Sequence, residues 1–112
     1  MNKVIELHHE AMRSYDEVTI HRLKNGKGML PSDVSLALRN AYRREREAAL
    51  LLLNETEQEP TRSVLFRSAA WLALQCGEAR DAELLATQGL QGSPPTELAQ
   101  ELREVRKQAG FA

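Results

Sequence analysis

The stretch LALQCGEARDAELLATQGL, residues 72–90, decides the fold. A helical pattern runs into Gly77, and a second one begins at once. Small residues (Ala73, Ala79, Ala82, Ala86 and Gly89) stand where many helices carry bulk. Two helices approach closely only where the side chains between them are small. A turn with no length to spare needs a residue that tolerates a left-handed backbone, and Gly77 is one. The stretch therefore reads as a tight helical hairpin.

The pattern continues on both sides. Upstream, a helix over about 61–76 turns Val64, Leu65, Ala69, Leu72 and Ala73 inward, with Phe66 and Ala70 beside them. Pro60 suits its start, where a missing N–H costs nothing. Downstream of the second helix, about 78–91, the segment GSPP (92–95) breaks the chain, and Ser93 is a candidate cap. A last helix over about 95–109 repeats Leu98, Leu102, Val105 and Ala109 at helical spacing, with Glu97, Glu101, Arg103, Glu104 and Lys107 on its other face. Nearer the start, Val4, Leu7, Ala11, Tyr15 and Val18 mark a helix over about 3–24, widened by Ile5, Met12, Ile20 and Leu23. NGKG (25–28) stops it. A helix over about 33–56 follows, with Ser32 or Asp33 as N-cap. It buries Val34, Ala37, Leu38, Ala41, Ala48, Ala49 and Leu52, while Leu50, Leu51 and Leu53 extend its apolar surface. No stretch alternates with period two, so the fold class is all-α, with about five antiparallel helices.

Composition agrees. The chain has 112 residues, a size at which one domain buries roughly 65% of its unfolded surface. Hydrophobic residues make up 42% and charged ones 28%, a globular balance. The formal net charge of −1 gives no general pull toward nucleic acid or an anionic membrane. The single cysteine, Cys76, excludes an internal disulfide. The longest apolar run, 48–53, is too short to span a bilayer, and MNKVIELHHE lacks the apolar core of a secretory signal. These features predict a cytoplasmic protein.

Residues 63–96 resemble one tetratricopeptide repeat (TPR), a 34-residue helix–turn–helix unit. Gly77 lies at the tight turn, Ala82 at the small position early in the second helix, and Leu90 at the apolar position near its end. Pro94 matches the closing proline, and Phe66 the aromatic of the first helix. Ala73, Ala86 and Gly89 depart from the bulkier pattern. As a whole the chain is similar to short bacterial proteins with a TPR-like helical domain of unassigned activity. The resemblance implies a single domain over 1–112. It would comprise a degenerate hairpin over about 3–56, a TPR-like repeat over 63–96 and a capping helix over about 95–109. An ordinary five-helix bundle is the alternative.

No catalytic set emerges. Glu6 and His9 form an ExxH pair within ELHHEAM (6–12), yet a di-iron bundle needs a second such pair, and HExxH is absent. The histidines read as solvated or partly packed. Cys76 falls at a helix C-terminus, away from the positive environment that activates a thiol. Arg39, Arg43 and Arg46, with Arg44 beside them, are interleaved by Glu45 and Glu47 and read as a solvated face. No cofactor or metal is expected.

The sequence thus points to a non-enzymatic protein–protein interaction domain, an adaptor or scaffold that binds a protein or peptide partner. The TPR resemblance implies that helices one, three and five line its groove. Arg67, Trp71 and Gln75 then face the ligand, with Arg62 nearby, an arginine and the only Trp being a recognition pair for a peptide carboxylate. In the competing reading Trp71 fills the core and Arg67 pairs with a Glu. A second function, a self-associating assembly subunit such as a homodimer, follows from the surplus of Leu50, Leu51 and Leu53. The hairpin itself is testable: Ala82→Leu should overpack it and lower stability by about 1–3 kcal/mol in urea denaturation. A neutral result would mean the two helices are not in close contact at Ala82.

Overall fold

The computed structural model describes residues 2–110. They form five α-helices and no strand: α1 (Asn2–Asn25), α2 (Ser32–Leu51), α3 (Thr61–Gln75), α4 (Ala79–Leu90) and α5 (Thr96–Gln108). The main packing runs in chain order, α1 on α2, α2 on α3 and α3 on α4, and α5 closes the end against both α3 and α4. The thinnest dimension is 21 Å, about two helix diameters. The molecule is thus two helices thick, and each outer helix buries a single stripe. Among the described residues no helix is long and apolar enough to cross a membrane.

The core is built from small and medium side chains because the helices meet closely. Ala69, Ala70 and Ala73 of α3 and Ala82 and Ala86 of α4 are all fully buried, around Phe66, Leu85 and Leu102. Gly77 takes φ +77° between α3 and α4. Its N–H bonds the carbonyl of Leu74 at 3.0 Å, and the N–H of Glu78 bonds that of Ala73 at 2.9 Å. This paired closure satisfies the last carbonyls of α3 and lets α4 start two residues later.

Several expectations need correction at element ends. α2 stops at Leu51 rather than near 56. The N–H groups of Leu52, Leu53 and Glu55 bond three residues back, which tightens the chain out of the helix. Neither Ser32 nor Asp33 caps α2; Pro31 holds that place in an extended conformation, and its carbonyl accepts from Ser35 N–H at 2.8 Å. Ser93 does not cap α5, whose N-cap is Pro95. Pro60 is the N-cap of α3, one place before its first residue, and the preceding Glu59 reaches the first turn with its side chain. The Glu59 carboxylate accepts from the Ser63 N–H at 3.0 Å and from the Ser93 N–H at 3.1 Å. On α1, Val4, Leu7, Ala11 and Val18 are buried, whereas Ile5, Ile20 and Leu23 are exposed. One stripe is all that a two-layer molecule asks of a terminal helix.

Gly89 marks the closest approach. A Cβ there would lie 2.9 Å from Phe66 Cβ and 3.0 Å from Leu102 Cδ2. Gly89→Ala would gain about 1 kcal/mol of helix propensity, but overpacking costs ~1–3 kcal/mol, and the Phe66 Cβ belongs to a fixed helix. We expect a lower urea midpoint with an unchanged m-value. A raised midpoint would show that the three helices have room to spare.

Candidate functional site

Three of the expected residues meet in one cleft. Arg67, Trp71 and Gln75 are spaced by four on α3, which puts them on one face. Met12 and Tyr15 of α1 form the opposite wall, and Glu101 of α5 stands at one end. Ser68 and Leu72 complete the lining of a cleft of about 320 Å³. Trp71 is half-buried: it packs against the core and also lines the cleft. One side of the residue thus faces the core and another the cleft.

Polar contacts bound the cleft at its two ends. At one, Arg67 Nη1 donates to Glu101 Oε2, so the arginine is already paired. At the other, Gln75 Oε1 accepts from Arg22 Nη1 at 2.8 Å and from Tyr15 Oη at 3.1 Å. Arg22 Nη1 also reaches Tyr15 Oη at 3.2 Å. This network joins α1 to α3, which otherwise pack together little.

Arg62, the fourth expected partner-binding residue, is not on this surface. It is 1% exposed, in the interior between the two hairpins. Its Nε donates to Leu52 O at 3.1 Å, its Nη2 to Leu53 O at 3.0 Å and Gln88 O at 2.9 Å, and its Nη1 to Gly89 O at 3.3 Å. The guanidinium also covers the Phe66 ring at 4.8 Å. Carbonyls at the ends of two helices thus engage all three of its nitrogens, away from the cleft. The sequence places Arg62 one turn before Phe66, on the inward side, and that was the available signal.

A second buried group was missed altogether. Glu45 is 0% exposed although α2 carries charged neighbours on either side. Its position, four after Ala41 and three before Ala48, is on the buried stripe. His8 Nδ1 lies 2.9 Å from both carboxylate oxygens, and Ser68 also hydrogen-bonds the group. Burial pushes the Glu45 carboxyl above its ordinary range, and the bonds from His8 and Ser68 pull the other way.

The remaining candidates stay separate. Glu6 and His9 are exposed. Among the described residues no three His, Cys, Asp or Glu side chains are grouped to hold a metal ion. Cys76 is a free, half-buried thiol pushed up by burial, with Arg39 and Arg43 acting in the opposite direction. Arg39 pairs with Glu78 at 3.3 Å and Arg44 with Glu10 at 2.8 Å, while Arg43 and Arg46 are exposed. Tyr42 donates to Asp81 Oδ2 at 2.6 Å, and burial together with that carboxylate raises the phenol above its usual value. Comparison with known proteins gives no match: no family model, no curated sequence and no solved structure is significantly similar to the chain.

The Glu45 environment makes a pH prediction. A carboxyl raised in the folded state contributes most to stability below its unfolded value, about 4.3, and that contribution is lost as pH rises through the folded value. Glu45→Gln keeps an acceptor for His8 and removes the charge. Its stability relative to wild type should therefore improve between pH 4 and pH 7 in urea denaturation. A variant that falls further behind at pH 7 would show that the ionised carboxylate is net stabilising.

Proposed function

We propose that this chain is a non-enzymatic protein-interaction domain, an adaptor or scaffold of TPR-like architecture, that docks a segment of a partner protein in the α1–α3–α5 cleft. The observation that carries the reading is the lining of that cleft. Three helices contribute to it, and a half-exposed Trp71 lies between an arginine–glutamate pair and a Gln75 network. An aromatic anchor beside adaptable polar groups is the usual make-up of an interaction hot spot. Gly77, Ala82, Leu90 and Pro94 support the TPR-like assignment through spacing. A single unpaired cysteine suits a reducing compartment such as the cytoplasm.

A partner segment would lay apolar side chains on Trp71, Met12 and Leu72. Its polar groups would exchange with Glu101 for Arg67, or join Gln75 and Arg22. A second reading, self-association, draws on the tip of the α1–α2 hairpin, where Leu23, Met29 and Leu36 are 81%, 97% and 57% exposed. Leu51, from the leucine surplus, is half-exposed at the other end of α2, while Leu50 and Leu53 pack against the core. Sedimentation as a clean monomer at all concentrations would exclude that reading.

Peptide-library selection against the intact chain tests the first one. Selected peptides should lose at least tenfold in affinity with Trp71→Ala, about 1.4 kcal/mol or more. They should lose less with Arg67→Ala, which leaves the core intact. Circular dichroism would verify that both variants fold. Peptides that bind both variants as tightly as wild type, or a selection that yields no binder, would overturn the cleft as the docking site.

A further inference from the structure

The cleft between α1, α3 and α5 differs in charge at its two ends. Arg67 at one end is matched by Glu101 of α5. Arg22 at the other end, on α1, enters no ion pair among the described residues. Its Nη1 donates instead to two neutral oxygens, Gln75 Oε1 at 2.8 Å and Tyr15 Oη at 3.2 Å. Tyr15 Oη in turn donates to the same Gln75 Oε1 at 3.1 Å. Two donors, one of them cationic, thus converge on one uncharged acceptor.

A guanidinium does not lose its proton in proteins, so the positive charge at this end is fixed. Arg22 lies in the last turn of α1, where the helix dipole supplies only about half a unit of negative charge. The nearby acids are committed or solvated. Glu78 pairs with Arg39 and Glu101 with Arg67, and Asp16, next to Tyr15, is exposed. Gln75 is exposed as well, so an incoming group reaches the two donors from solvent. A carboxylate is a stronger acceptor than an amide oxygen, and its two oxygens fit a guanidinium side by side. It can take the place of Gln75 Oε1 at the same donors.

We propose that the cleft takes an acidic segment of a partner protein. An apolar or aromatic side chain lies on Trp71, and the carboxylate of an Asp or Glu side chain accepts from Arg22 and Tyr15 Oη. This rests on the docking role proposed for the cleft and names the residue that selects the partner. Trp71 and Gln75 are four residues apart on α3, about 6 Å along the axis. In an extended segment, side chains on one side repeat every ~6.7 Å, so the acid stands two residues from the anchor. One cation matches one carboxylate, whereas a phosphate carries a charge of about −1.5 to −2. Gln75 and Gly77 beyond it are exposed, so the bound chain runs on past this end and offers a side chain rather than its terminus.

Peptide selection against the intact chain tests this, with each selected peptide amidated at its C-terminus so that only side chains carry carboxylates. The binders should share an Asp or Glu two residues from an apolar or aromatic one. Changing that acid to its amide should weaken binding to wild type by about tenfold or more, and should not weaken binding to Arg22→Gln. Arg22→Glu should reject the acidic peptide and bind its counterpart with lysine in place of the acid at least tenfold more tightly, a gain that only a folded variant can show. Arg67→Gln should keep the preference for acid over amide. If binders depend on Trp71 but not on the acid, or if Arg22→Gln keeps the preference, the proposal is overturned while the docking role of the cleft stands. A selection that yields no binder, or peptides indifferent to Trp71→Ala, overturns both.

Discussion

One guanidinium holds the two hairpins in register. Arg62 is buried with no carboxylate partner among the described residues, and its charge is met by four backbone carbonyls. Leu52 and Leu53 directly follow α2, and Gln88 and Gly89 lie in the last turn of α4. The last carbonyls of a helix lack partners within it and carry the negative end of its dipole. Two such ends converge on one cation. α2 stops at Leu51, and the two carbonyls just beyond it accept from Arg62. Phe66, one turn further along α3, is held beneath the same group.

The cleft inherits that order. α3 is fixed on one side by the alanine contacts with α4 and on the other by Glu45 and Ser68, which tie it to α2. Its remaining face carries Arg67, Trp71 and Gln75. Buried polar groups of this kind do more to specify an arrangement than to stabilise it when each member is satisfied. Glu45 and Arg62 are satisfied by different means, one by a histidine and a serine, the other by peptide dipoles.

The sequence announced the helices well because their punctuation is local. Gly77, NGKG and GSPP act through backbone geometry, and the apolar spacing of α1 and α5 shows directly which stripe each buries. Three of the four cleft candidates were legible for the same reason, being spaced by four on one helix. Arg62 and Glu45 were not, because charge suggests exposure and only tertiary partners reverse it. The carbonyls that accept Arg62 come from segments 10 and 27 residues away. His8 lies 37 residues from Glu45. Periodicity puts both residues on the inward side of their helices but does not name these partners. The exposure of Ile5, Ile20 and Leu23 was hidden too, since it depends on how many layers the helices form.

The seam between α1 and α3 differs in kind from the other helix contacts. α3 and α4 interlock through methyl groups and a glycine, and any separation opens a void. α1 meets α3 mainly across the hydrogen bonds that Tyr15 and Arg22 make to Gln75. Such bonds can be exchanged for water or for a guest at little cost, whereas a packed alanine layer cannot. One wall of the cleft is therefore fixed by packing and the other is joined to it by polar contacts, while α1 keeps Leu7, Ala11 and Val18 buried. A guest entering the cleft thus meets groups that can trade hydrogen bonds along one seam and a closed apolar layer behind the other.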